Sequence, residues 1–147
     1  MSTLLLTHAD VLVTMDSQRR RIEDGGLFAQ DGAILQVGPS AELPATADTV
    51  VDAGGMVVLP GLVNTHHHLY QTLTRCMAQD SVLFDWLVTL YPIWSRLTPE
   101  AAYLSAKLGL AELMLSGCTT SSDHLYVYPN GVRIDDEIQA AVELGIR

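Results

Sequence analysis

The hydrophobic pattern changes its period at Pro60-Gly61, and that change limits the fold more than any other feature of the chain. Before it, "DVLVTM", "GLFAQ", "AILQVG" and "TVVDA" are short apolar or alternating runs separated by turn residues, the signature of β-strands. Asp31-Gly32 lies between two of these runs as a two-residue hairpin turn, since glycine accepts the positive φ that such turns need. After Pro60-Gly61 the runs lengthen. "GLVNTHHH" reads as a buried strand and "SVLFDWLVTLYPIW" as a helical stretch with Phe84, Leu87, Val88 and Tyr91 on one side. Thr98-Pro99-Glu100 opens a second helix as cap, first-turn proline and dipole-facing acid, and Gly117 closes it. "CTTSSDH" is a second strand, "DDEIQAAVEL" a further helix closed by Gly145, and "GIR" the start of something more. Strands alternating with helices imply a parallel sheet. Two complete βα units and a stub cannot bury both faces of one. The chain therefore reads as α/β and as the opening third of a larger barrel, a fragment whose β-rich part is 1–56 and whose first βα units are 57–147.

Charge and composition exclude several functions. The net charge is −9 over 147 residues, and "QRRR" is the sole basic run, so binding along a nucleic-acid backbone is not expected. The opening "MSTLLLTHADVLV" lacks a basic start and is broken by His8 and Asp10, which fits neither a signal peptide nor a membrane span. Cys76 and Cys118 form no CxxC pair. The cytoplasm is the expected setting.

Three of the five histidines stand together at 66–68. On a strand, side chains alternate, so His66 and His68 share one face and His67 the other. Two imidazoles so spaced can reach one divalent ion, and at the C-terminal end of a barrel strand they would line the active-site mouth. His67 is then a packing residue between strand and helix layer. An isolated HxH also occurs by chance, so the pair alone does not decide the matter.

The context does more. "VDAGGMVVLPGLVNTHHH", with "FDWL" and "SGCTTSSDHLY" following, resembles the amidohydrolase superfamily along essentially the whole chain. "NTHHHLYQTLTR" with "TTSSDH" is most similar to its 8-oxoguanine deaminases, relatives of the guanine and triazine aminohydrolases. The resemblance implies a (β/α)8 TIM barrel preceded by part of a small β-sandwich. It implies one divalent metal, zinc or alternatively iron, with His66 and His68 as ligands and the remaining ligands and proton-moving residues beyond residue 147. It implies hydrolytic deamination of an aromatic heterocycle, in which a water activated by the metal attacks the ring carbon bearing the amino group and ammonia leaves.

Gln71 matches a glutamine that guanine deaminases use to bind the purine. A carboxamide offers donor and acceptor together, suited to a lactam edge; a surface glutamine on the turn after the strand is the plain alternative. Trp86 either stacks on a planar base or belongs to the core of the segment over the mouth, whereas Trp94 and Tyr91 are read as core. Arg75 suits an oxo group or a structural role. His124 faces the mouth or is a loop histidine satisfied locally, and Asp123 either orients a ligating histidine or closes a turn.

The substrate expected is small and heterocyclic, 8-oxoguanine (giving urate and ammonia) or guanine, with an s-triazine or another heterocycle as the same-class alternative and a non-catalytic metal-binding fragment as the other. No membrane partner is expected, and a homo-oligomer is compatible with the sequence.

Overall fold

Asp31 and Gly32 take φ values of 49° and 81° in a computed structural model that describes residues 1–147. Two successive positive φ angles make the hairpin turn whose twist suits its flanking strands. It joins β2 (Arg21–Gln30) to β3 (Ala33–Pro39), with Gln30 opposite Ala33. The centre of this sheet is β1 (Thr3–Val13), antiparallel to β2. Its other edge takes two short parallel strands in succession, β4 (Thr49–Asp52) and β5 (Val57–Val58). Ala9, Leu12 and Ala53 form the buried cluster here, with Leu6, Ile22, Val37 and Val58 against it. The unit spans Met1–Pro60 and contains a single five-stranded sheet.

The second unit, Gly61–Arg147, is built from βα connections. Strand β6 (Leu62–Asn64) pairs in parallel with β7 (Cys118–Ser121). Between them run helices α1 (Leu83–Trp94) and α2 (Pro99–Leu115), and after β7 comes α3 (Ile134–Leu144). The helix boundaries follow the local chemistry. Thr98 caps α2 by accepting a hydrogen bond from the Ala101 N–H at 3.2 Å, with Pro99 in the first turn. Gly117 and Gly145, at φ 88° and 77°, provide the left-handed residues that end α2 and α3. Beyond α3, Ser121 N–H donates to Arg147 O and Arg147 N–H to Thr119 O, so Arg147 bonds to β7 in the parallel pattern. No helix is long and apolar enough to cross a membrane.

Two expectations need correction. Strand β6 ends at Asn64, so the three histidines lie beyond it in irregular chain. Asn64 turns the chain there, its side-chain oxygen accepting from the His66 N–H at 3.2 Å. In α1, the face carrying Phe84, Val88 and Tyr91 is exposed; the buried side chains are Leu90 and Trp94, with Trp86 and Leu87 partly covered.

Helix α2 organises the unit because its buried face is made of small residues. Ala102, Ser105, Ala106 and Gly109 are all buried. They let the helix lie directly against a 3-10 turn, Leu69–Thr74, that follows the histidines. Ser105 Oγ donates to Leu69 O at 2.7 Å and accepts from Leu73 N–H at 3.2 Å. Above this contact Ala102 joins a cluster of Tyr70, Leu90, Trp94, Leu125 and Val132. Below it Ala106 and Leu110 join Leu69, Ala140 and Ile146.

A Cβ at Gly109 would stand 2.8 Å from Thr72 Oγ1 and 3.1 Å from Leu69 Cδ2. Gly109→Ala should therefore destabilise the full-length protein by about 1–2 kcal/mol, although alanine is the better helix former by about 1 kcal/mol. Urea midpoints test this. Adding Thr72→Ala should recover part of the loss, and a Gly109→Ala variant more stable than its parent would contradict the packing described.

Candidate metal centre

The residues that follow Asn64 and Ser121 bring the rings of His66, His68, Tyr70, His124 and Tyr126 together at one end of the β6–β7 pair. After β6 the chain runs beside the segment that follows β7. Ser122 N–H donates to Asn64 O, and His124 N–H donates to His67 O at 2.9 Å. This second bridge, rather than a strand ladder, keeps the alternation of the histidines. His66 and His68 face one side, with ring centroids 5.0 Å apart and planes at 89°. His67 turns towards α2, where its Cε1 lies 3.7 Å from the position of a Gly109 Cβ.

The spacing of the pair fits a shared ion. A zinc–nitrogen bond of about 2.05 Å puts each ring centroid about 3.2 Å from the metal, and a tetrahedral angle then separates two centroids by about 5.2 Å. Tautomer also matters, because a ligating nitrogen must be unprotonated. His68 Nδ1 lies 2.9 Å from the main-chain oxygen of His124 and can only donate to it. The Nε2 of His68 is thereby left with its lone pair available to a metal. His66 has no comparable restraint on its ring. No group of three His, Cys, Asp or Glu side chains converges to hold a metal.

His124 was open to two readings, and the geometry contains something of each. Its Nδ1 also donates to His67 O, at 3.2 Å, so it is satisfied locally. Yet its ring stands 5.1 and 5.5 Å from those of His66 and His68. Asp123 does not touch either of them. Its Oδ1 accepts from the Leu69 N–H at 2.8 Å and anchors the start of the 3-10 turn. Behind it Glu137, 2% exposed, presents two carboxyl oxygens without a hydrogen-bond partner. Burial first, and then the neighbouring Asp123 carboxyl, push the Glu137 pKa up, so Glu137 holds its proton. Burial also pulls His67 below its ordinary value, against the opposing charge of Asp123.

A cavity of about 440 Å³ opens beside the histidines, lined by all three of them, His66, His67 and His68, and by Gln71, Arg75, Trp86 and Glu112 among others. Gln71 and Trp86 thus stand in the same cavity as the histidine pair. Trp86 packs edge-on against Trp94 at 5.2 Å between centroids and is only partly covered. Trp94 is core, whereas Tyr91 touches it but remains 45% exposed. Arg75 is committed to Glu112 by two hydrogen bonds of 2.6 and 2.9 Å, the structural role among its two readings. The Gln71 side chain is held by Tyr70 and Tyr126, whose hydroxyls each accept from its Nε2 at 2.9 Å. Sequence reasoning missed both tyrosines. Tyr70 adjoins Gln71, but nothing in the sequence links it to Tyr126 across 55 residues.

Residues 57–147 match the amidohydrolase family. The chain is 52% identical over 128 residues to an 8-oxoguanine deaminase of Pseudomonas aeruginosa, covering 84% of this chain and 28% of that protein. It is 39% identical over 125 residues to a 5-methylthioadenosine/S-adenosylhomocysteine deaminase of Nitratidesulfovibrio vulgaris, covering 81% and 28%. Its structure superposes with a TM-score of 0.89 on an atrazine chlorohydrolase of Arthrobacter aurescens TC1 complexed with zinc, at 30% identity, over 98% of this chain and 34% of that one. The chain thus spans under a third of the length of the two deaminases.

If His66 and His68 are the ligands, alanine at either position in the full-length protein should abolish bound zinc, while His67→Ala should retain it. Metal analysis of the purified variants decides. Equal loss at all three positions would show that the alternation described here does not govern binding.

Proposed function

The chain belongs to the amidohydrolase family, and on that premise we propose that it forms the metal-binding and substrate-facing wall of a hydrolytic deaminase acting on an amino-substituted oxopurine, 8-oxoguanine ahead of guanine. One observation carries this reading: His66, His68, Gln71 and Trp86 line a single cavity at the strand end. The identity to the Pseudomonas aeruginosa 8-oxoguanine deaminase supports the choice of base. The zinc bound by the structural relative supports the choice of metal. When bound, the metal supplies a hydrolytic nucleophile at neutral pH by lowering the pKa of water.

The chain's own groups do the rest of what can be assigned to it. His68, with its tautomer set by His124 O, presents Nε2 in one orientation. Trp86 offers a planar apolar surface beside the histidines, suited to a flat heterocycle. Gln71 offers a carboxamide oxygen whose partner amide nitrogen is already spent on two phenols. The expected pairing is thereby revised. Gln71 by itself accepts from a ring N–H or amino group, and the donor half of a lactam match must come from elsewhere. The unpaired thiols of Cys76 and Cys118 agree with a reducing, cytoplasmic setting. The proposal for domains follows the same lines: a β-sandwich portion before the barrel, and the first βα units of the barrel from residue 57.

A triazine substrate is the second reading, favoured by the structural likeness to the atrazine chlorohydrolase. Steady-state kinetics of the zinc-loaded, full-length protein separate the two. The oxopurine should be turned over well, and Gln71→Leu should lower its kcat/KM by about two orders of magnitude or more, because sites built around a hydrogen bond discriminate far more sharply than apolar pockets. Zinc content should stay unchanged. Turnover of triazines with none of oxopurines would select the second reading. Residues 1–147 expressed alone should show no turnover and should aggregate, because the ligand set is incomplete and the β6 edge is unpaired; a soluble, active product of that length would contradict this.

A further inference from the structure

Helix α1 is apolar on two faces, and only one of them is covered. Leu90 and Trp94 seat the inner face on the cluster of Tyr70, Leu125 and Val132, with Trp86 and Leu87 partly covered. The outer face carries Phe84, Val88 and Tyr91, spaced by four and then three residues, so they form one stripe along the helix. Val82 and Leu83 extend the stripe at its N-terminal end. All five side chains are between 45% and 74% exposed.

The size of the stripe matches half of an interface. At the areas usual for these residue types it leaves about 500 Å² of apolar surface in water. That lies near the top of the range for the largest patch on an ordinary monomer, about 300–600 Å². A stable interface takes about 800 Å² from each partner, and in homodimers about 65% of it is apolar. The stripe supplies about three-fifths of that area, and the exposed polar residues beside it, Asp80, Asp85, Thr89, Ser95 and Arg96, can supply the rest.

The charges beside the stripe are placed to meet their own copies. Asp80 and Asp85 stand at the N-terminal end of α1, and Arg96 lies just beyond its C-terminal end. None of the three takes part in the ion pairs within the chain. In an antiparallel pair about a two-fold axis near Val88, the acidic end of each helix meets the basic end of the other, and Phe84 of one copy lies opposite Tyr91 of the other. A parallel pair would set acid on acid and base on base. Further strand–helix units of a barrel add along the sheet, beside β6, β7 and their helices. Helix α1 packs instead on Tyr70 and Leu125, in the segments that follow the strands.

We propose that two copies of this chain pair through the outer face of α1, antiparallel about a two-fold axis near Val88. Phe84 and Tyr91 are the aromatic anchors of the contact, and Arg96 with the acids at the opposite end fixes its direction. Because α1 also carries Trp86 into the cavity, the pairing braces the cavity wall from behind.

Sedimentation velocity of the full-length protein at micromolar concentration should give a dimer. Val88→Glu sets two carboxylates against each other across the axis and should raise the dissociation constant by about 100-fold or more, leaving a monomer with unchanged far-ultraviolet circular dichroism. In a Cys76→Ser background, Val88→Cys should be joined into a covalent dimer by a short bismaleimide, whereas Cys76→Ser alone should not. A monomeric unsubstituted protein overturns the proposal, and so does a Val88→Glu variant that keeps the dimer mass. If the rest of the full-length chain covers the stripe, Val88→Glu lowers the urea midpoint and leaves the mass as it was, which also overturns the pairing. Should Val88→Glu fail to fold, the cross-link decides: a Val88→Cys protein joined no faster than its parent rejects the two-fold contact.

Discussion

The contact between α2 and the 3-10 turn at Leu69–Thr74 holds the second unit together. It is a close contact made possible by the small residues Gly109, Ala106, Ser105 and Ala102, with the Thr72 and Leu69 side chains against Gly109 and the hydroxyl of Ser105 on Leu69 O. A larger side chain at any of these positions would lift the turn off the helix. The turn directly follows His68, so its placement sets where the histidines lie. Asp123 pins the same turn from the other side through the Leu69 N–H. The candidate centre is thus positioned by a helix and a strand-end loop acting on one short segment, with Leu69 as the point both of them grip.

The βα succession was legible because it depends on local signals. Thr98-Pro99 and the glycines at 117 and 145 mark helix ends through backbone chemistry that does not need the rest of the fold. Asp31-Gly32 announced its hairpin for the same reason. The extent of β6 was not legible, since a run of β-compatible residues does not show where its partner strand stops. Here β7 ends at Ser121 and the ladder ends with it. The face of α1 was ambiguous because the helix is apolar nearly all round, leaving Phe84 and Val88 as plausible for burial as Leu90 and Trp94.

The site was legible in part for a related reason. An HxH pair and a glutamine three residues on are neighbours in sequence, and their short separation survives almost any local conformation. Apart from Tyr70, the groups that orient them come from 55 and 56 residues away, through the segment after β7. His124 acts through its main-chain oxygen, which no side-chain pattern could reveal. The protonation of Glu137 was equally hidden, because it follows from burial against Asp123 and not from anything in "DDEIQAAVEL".

The two histidines differ in how firmly they are held. His68 is tied by its ring to the His124 carbonyl, whereas only the main-chain N–H of His66 is tied, to Asn64. On the reading proposed here, one ligand is preset and the other retains rotamer freedom until an ion fixes it. Affinity then carries the conformational entropy of a single imidazole rather than two. An ion held by the pair would then have to fix one imidazole ring rather than two, His66 and not His68.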